Sequence, residues 1–184
     1  MFFGEEQNKM ETLEWYAIRA TGMVAYLLLY MAVLTGLFSA VQKKRKKKIN
    51  NILYLHESLS DWSLILTFGH LGVLLADSYF PFKLTEILIP FSSGYETVSM
   101  AMGTIATYFL IITILASKFR KKIGHQRWRK LHALNPILYI LVTLHGLLSG
   151  TDFQGTIMAV VNLAPLIIMG VMLRSSKKEL NVAQ

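Results

Sequence analysis

Apolar runs of roughly 20 residues recur along this chain, and they limit its fold more than any other feature. A helix of about 20 residues spans the roughly 30 Å hydrocarbon core of a bilayer. Charged residues make up only 16% of the 184 residues, against about 25% in ordinary soluble domains. Five spans are expected, at about 15–41, 52–80, 97–119, 131–153 and 156–173. The first run has no small-residue cleavage site after it, so it reads as a retained helix and not a signal peptide. No fixed-period repeat or linker interrupts the pattern. The expected fold is all-α: one polytopic transmembrane bundle covering residues 1–184.

The formal net charge is +8, and its distribution points to membrane topology, not to nucleic acid. Lys43, Lys44, Arg45, Lys46, Lys47 and Lys48 separate the first two spans. The connection 118–130 carries seven Lys or Arg, and Arg174, Lys177 and Lys178 follow the fifth span. With an odd number of spans these three segments share one side. The other side has only Lys9 and Lys83. Basic connections stay cytoplasmic, so the N-terminus is expected outside and the C-terminus inside, in a multi-pass protein of the plasma membrane. Topology alone is enough to explain these charges. Residues 81–96, with Pro81, Pro90 and Gly94 around Leu84, Ile87, Leu88 and Ile89, read as a short amphipathic piece at the outer interface. It serves either as a cap over a site in the bundle or as an ordinary connection.

The chain has five histidines and no cysteine. The lack of cysteine excludes disulfides, thiolate ligation of haem and iron–sulfur clusters. His125 lies in a basic connection. His56 and His70 fall in the second span, and His132 and His145 in the fourth. Ionisable residues inside a membrane are costly and mark functional sites by default, and neutral imidazoles are good ligands for iron. His56 and His70 are 14 residues apart, about 21 Å and close to four turns of helix. His132 and His145 are 13 apart, about 20 Å of rise. The two spans start on the same side, so two haems stacked along the membrane normal would each take one ring from each helix. Thirteen residues of ideal helix leave the two rings about 140° apart, so the fourth span must be distorted. Pro136, four residues after His132, removes one helical hydrogen bond and kinks the helix. Gly69 and Gly72 beside His70, and Gly146 after His145, fit close approach of a flat ligand, and equally fit plain helix–helix contact.

These residues resemble the ferric reductase-like transmembrane family, which includes ferric reductases, NADPH oxidases and the haem subunit of a bacterial methionine-sulfoxide reductase. The matching pieces are His56-x13-His70, Trp128-Arg129-Lys130-Leu131-His132 leading to His145-Gly146, and Arg19-Ala20-Thr21-Gly22. The resemblance implies that His56 and His132 ligate an inner haem b and His70 and His145 an outer one. It also implies that Arg19 pairs with outer haem propionates. Arg19 is close enough to the end of its span to reach the surface instead. Arg127, Arg129 and Lys130 are placed to serve the inner haem likewise, with Arg129 the chosen candidate. Many members of the family carry six spans and a cytoplasmic FAD- and NAD(P)H-binding domain. Here about ten residues follow the last span, with no Gly-rich dinucleotide fingerprint. A flavin is therefore expected only through a partner.

The leading expectation is a di-haem b-type cytochrome, the membrane part of an oxidoreductase. It would carry electrons from a cytoplasmic flavoprotein or a membrane quinol to an extracytoplasmic acceptor. A quinol-oxidising cytochrome b also places two histidines on each of two helices, but the chain has no Pro-Glu-Trp-Tyr quinol motif. The non-redox alternative is a haem carrier, sensor or accessory subunit. Glu57 and Asp61, near the inner pair, suit a proton or quinol contact, or the orientation of nearby basic groups.

Overall fold

In the computed structural model, residues 2–45, 48, 50–150, 160–165, 167, 168 and 171 are described. Among these the chain is helical, with α1 (Phe2–Lys44), α2 (Asn50–Ala76), α3 (Leu84–Leu88), α4 (Thr97–Lys118), α5 (Arg120–Ile123), α6 (His125–His132) and α7 (Asn135–Ser149), and no strand. Four stretches are long and apolar enough to cross a membrane: Thr12–Lys43, Asn50–Ala76, Thr97–Lys118 and His125–Ser149, the last running across the α6–α7 break. The molecule is a polytopic helical bundle. Its outward surface agrees, since Leu27, Ile65, Phe68, Leu115 and Leu148 are all exposed. Lipid tolerates such a surface, whereas soluble monomers rarely carry apolar patches this extensive.

The helices stop where the sequence offers the backbone other partners. α2 ends at Ala76, before the expected limit at 80. Asp77 Oδ1 accepts the Tyr79 N–H at 3.0 Å, and Glu14 Oε2 accepts both the N–H (2.9 Å) and the hydroxyl (2.6 Å) of Ser78. Side chains that take these donors compete with the helix, and Pro81 follows. The fourth span breaks at Ala133 and Leu134, and α7 restarts with Pro136 in its first turn. Proline lacks an N–H, and its ring clashes with the carbonyl four residues back, here that of His132. Gly124, at φ 84°, turns α5 into α6, a conformation that favours glycine.

α1 packs along α2, and α4 along α7, with lighter contact between α2 and α4. The core is a layer at mid-height: Leu29, Ala106, Leu110 and Leu138, flanked by Leu64, Phe109, Ile114, Leu141 and Val142. Ser63 lies buried at the same level and donates its hydroxyl to the Ala25 carbonyl at 3.0 Å. Tyr26 donates to Asn162 Oδ1 at 2.5 Å, and the Tyr139 hydroxyl to the Asn162 carbonyl at 3.1 Å. These bonds tie residues 160–165, which are helical, to α1 and α7. Of the rest of the expected fifth span, residues 167, 168 and 171 are described and helical; its other residues, along with Arg174, Lys177, Lys178, Lys46 and Lys47, lie outside the described residues.

The connection 81–96 folds over one end of the bundle. Ile87 is buried, and its carbonyl accepts the Thr104 hydroxyl at 2.8 Å. Glu86 closes the connection by accepting the N–H groups of Lys83 (2.9 Å) and Gly94 (3.3 Å). These bonds, the one from Lys83 foremost, hold the Glu86 carboxyl below its ordinary range. A depressed carboxylate stabilises the fold above its unfolded pKa and loses that contribution as pH falls through its folded value. Glu86→Ala is therefore expected to speed amide exchange at Lys83 and Gly94 at neutral pH. The difference from the native chain should shrink below the ordinary carboxylate range. Equal exchange at neutral pH would show that the clasp holds nothing.

Candidate functional site

The four intramembrane histidines meet in two pairs. The rings of His56 and His132 have centroids 6.2 Å apart and planes at 79°. His70 and His145 line a single cavity of about 300 Å³ with Arg19, Gly22, Tyr26 and Gly103. One ring of each pair comes from α2 and the other from the α6–α7 segment, so these two run the same way. The break at Ala133 and Leu134 lets rings 13 residues apart both turn toward α2.

Three of the rings are fixed in the same way. His56 Nδ1–H donates to the Ala32 carbonyl at 2.8 Å, His70 Nδ1–H to the Ile18 carbonyl at 3.1 Å, and His145 Nδ1–H to the Ser99 carbonyl at 2.8 Å. A carbonyl has no proton to give, so in each ring Nδ1 carries the hydrogen and Nε2 keeps its lone pair. A hydroxyl oxygen stands beside two of these contacts, Thr21 Oγ1 3.3 Å from His70 Nδ1 and Ser99 Oγ 3.3 Å from His145 Nδ1.

Each carbonyl lies four residues before a glycine: Ile18 and Gly22, Ala32 and Gly36, Ser99 and Gly103. In an α-helix the carbonyl of one residue is bonded to the N–H four residues on, here the glycine's own. With no Cβ at that point, the groove beside the carbonyl stays open, and the ring edge reaches its second lone pair. A Cβ at Gly22 would come 3.1 Å from His70 Cε1, and one at Gly36 3.2 Å from His56 Cε1. At Gly103 it would lie 3.0 Å from both Cε1 and Nδ1 of His145. Gly69 and Gly72 have nothing within 4 Å of a built Cβ, so no helix packs tightly against them, and the glycines that receive the rings lie on the facing helices. The signal was in the sequence: Gly22 and Gly36 are 14 residues apart, as are His56 and His70. In an antiparallel pair, Gly22 then faces His70 and Gly36 faces His56.

His132 is held differently. Trp128 stacks on it, with centroids 5.3 Å apart and planes at 26°. Trp128 is itself fixed by an Nε1–H bond to Ser117 Oγ (3.1 Å) and by the Arg120 guanidinium 4.2 Å over its ring. His125 lies outside the pairs, beside Trp128 and within 3.1 Å of Arg120. Of the residues expected to meet propionates, Arg19 lines the cavity, its guanidinium 4.2 Å over the Trp15 ring. Arg129 is exposed on α6. Asp61 makes an ion pair with Lys118 at 2.5 Å, bridging α2 and α4, while Glu57 is exposed. Asp61 thus orients a basic group, one of the roles open to it from sequence.

Among the described residues no cluster of three or more His, Asp or Glu forms a site for a bare metal ion. The site comprises two pairs of imidazoles at different depths of a membrane bundle, His56 facing His132 and His70 sharing one cavity with His145. The sequence matches the family described as ferric reductase like transmembrane component over residues 21–143, more than half of its length, and the chain belongs to that family. The matched segment holds His56, His70 and His132 and stops two residues short of His145. No curated protein and no solved structure matches the chain.

Proposed function

We propose that the protein is a di-haem b-type cytochrome of the plasma membrane that carries electrons from the face bearing its basic connections to an acceptor on the other face. The observation that carries this reading is the pairing, at each depth, of one imidazole from α2 with one from the α6–α7 segment, with Nδ1 tied to backbone on three of the four rings. A pair of imidazoles supplies only two ligands, so a metal held there needs its remaining positions filled by its own macrocycle, as in haem. The spacing agrees. Two imidazoles that shared one metal ion, each at a metal–nitrogen distance of about 2 Å, would have ring centres about 6 Å apart. His56 and His132 lie 6.2 Å apart.

In this reading His56 and His132 hold the inner haem, and His70 and His145 the outer. When bound, the two haems supply a pair of one-electron centres at different depths. The protein's own residues orient the rings, raise their basicity through the Nδ1–H bonds and exclude water. Arg19 balances propionate charge at the outer cavity, and Arg129 offers the same at the inner end. The basic connections face the cytoplasm, where the basic segment 118–130, which carries α5 and most of α6, attracts an acidic flavoprotein donor. A membrane quinol is the alternative donor. The test is stoichiometry: a pyridine-haemochrome assay on purified protein should approach two non-covalent haems per chain. A value near zero overturns the reading, and a value near one removes one histidine pair from it.

A further inference from the structure

Of the four rings, His132 is the one for which no backbone carbonyl accepts a ring N–H among the described residues. Asn135 Nδ2 lies 3.2 Å from its Nδ1 and 3.4 Å from its Nε2, too evenly to single out either nitrogen. What sets the plane of this ring is a contact on its face. Trp128 stands four residues before it on α6, so the two share a side of the helix, and the indole stacks on the imidazole at 26°. The indole is held in turn from α4. Its Nε1–H donates to Ser117 Oγ at 3.1 Å, and the Ser117 hydroxyl donates to the Thr113 carbonyl at 3.0 Å. The serine proton is thus directed away from the indole, and its oxygen is free to accept. Ser117 stands 14 residues after Gly103, the interval that separates Gly22 from Gly36. α1 thus holds both rings of α2, and α4 both rings of the α6–α7 segment.

We propose that Ser117 is a positioning residue of the inner site: through Trp128 it holds the plane of His132 across that of His56, at 79°. The inference rests on the reading that these two rings hold a haem. An imidazole bound to iron through one nitrogen can turn about that bond, so its neighbours choose its plane. An indole N–H removed from water needs an acceptor. Taking the acceptor away frees the indole to turn, and the imidazole with it. Two imidazoles on one iron split its d orbitals strongly when their planes are parallel and weakly when they are crossed. Ferric low-spin haem then gives a rhombic three-line EPR spectrum in the first case and a single line at large g in the second.

The test is EPR and haem counting on the purified full-length ferric protein, with Ser117→Ala and Ser117→Thr. His56→Ala identifies the inner signal by removing it. That signal should be of the crossed type in the native protein. Ser117→Ala should turn it toward the rhombic type or cost the inner haem, while Ser117→Thr, which keeps the acceptor, should retain it. The outer signal should be the same in all of them. A native protein with no haem overturns the functional reading and this inference with it. A native protein with two haems and a rhombic inner signal overturns the role of Ser117 alone. So do identical outcomes in Ser117→Ala and Ser117→Thr.

Discussion

His56→Ala is expected to leave the purified protein with one haem instead of two and to stop electrons supplied at the basic face from reaching an acceptor at the opposite face. His70→Ala should also leave one haem, but that one should still be reduced from the basic face, with delivery to the far acceptor lost. The contrast follows from the pairing. His56 meets His132 at the end of α2 nearest the basic connections, and His70 shares its cavity with His145 further along. Membrane vesicles of known orientation, with haemochrome counting on the same variants, make the measurement. If His56→Ala kept both haems, the pairing would be wrong. If its remaining haem were reduced from the basic face at the native rate, the two sites would not act in series, and the donor would enter near the other face.

The second large effect belongs to a residue that binds nothing itself. Gly103→Val is expected to strip the outer haem selectively. Its Cβ would lie 3.0 Å from two atoms of the His145 ring, and both partners are held, one in a helix and the other by the Ser99 carbonyl. Overpacking of this kind costs about 1–3 kcal/mol, or about 5- to 150-fold weaker retention of a ligand on that pair. Gly69→Ala is the control. It lies next to His70 in sequence but has nothing within 4 Å of a built Cβ, and it replaces a poor helix former with the best, a gain of about 1 kcal/mol. Haem retained after a detergent wash, alongside thermal melting, separates the two. Equal retention in Gly103→Val and Gly69→Ala would show that the glycine groove does not position the ring.

Much of this arrangement was legible in the sequence because it rests on spacing. Runs of apolar residues gave the spans, and two histidines per span gave the candidate pairs. Pro136 marked the distortion that a 13-residue separation requires. What sequence reading did not find was the set of glycines that receive the rings. It singled out Gly69 and Gly72 for approach of a flat ligand or for helix–helix contact, and their adjacency to His70 in the chain puts them on other faces of the same helix. The groove that receives a ring belongs to the helix across from it, so its glycines are distant in sequence and show only as a matching interval. Asp61 was ambiguous for a similar reason, because its partner Lys118 is 57 residues away. Helix ends were misjudged where side chains supplied the competing bonds, as Glu14 does for Ser78.

The layer of Leu29, Ala106, Leu110 and Leu138 separates the two histidine pairs, with the Ser63 hydroxyl already engaged by the Ala25 carbonyl. An electron can tunnel through such a layer, whereas its apolar side chains offer an ion no ligands. Each transfer then moves charge without compensation through part of the membrane's electric field. A unit charge crossing the whole field exchanges about 2.3 kcal/mol per 100 mV. In the proposed orientation a negative charge travels toward the positive outer side, so the resting voltage assists it. The same transfer draws that voltage down, and turnover in sealed vesicles should slow as charge builds up, then recover when an ionophore lets a counter-ion cross.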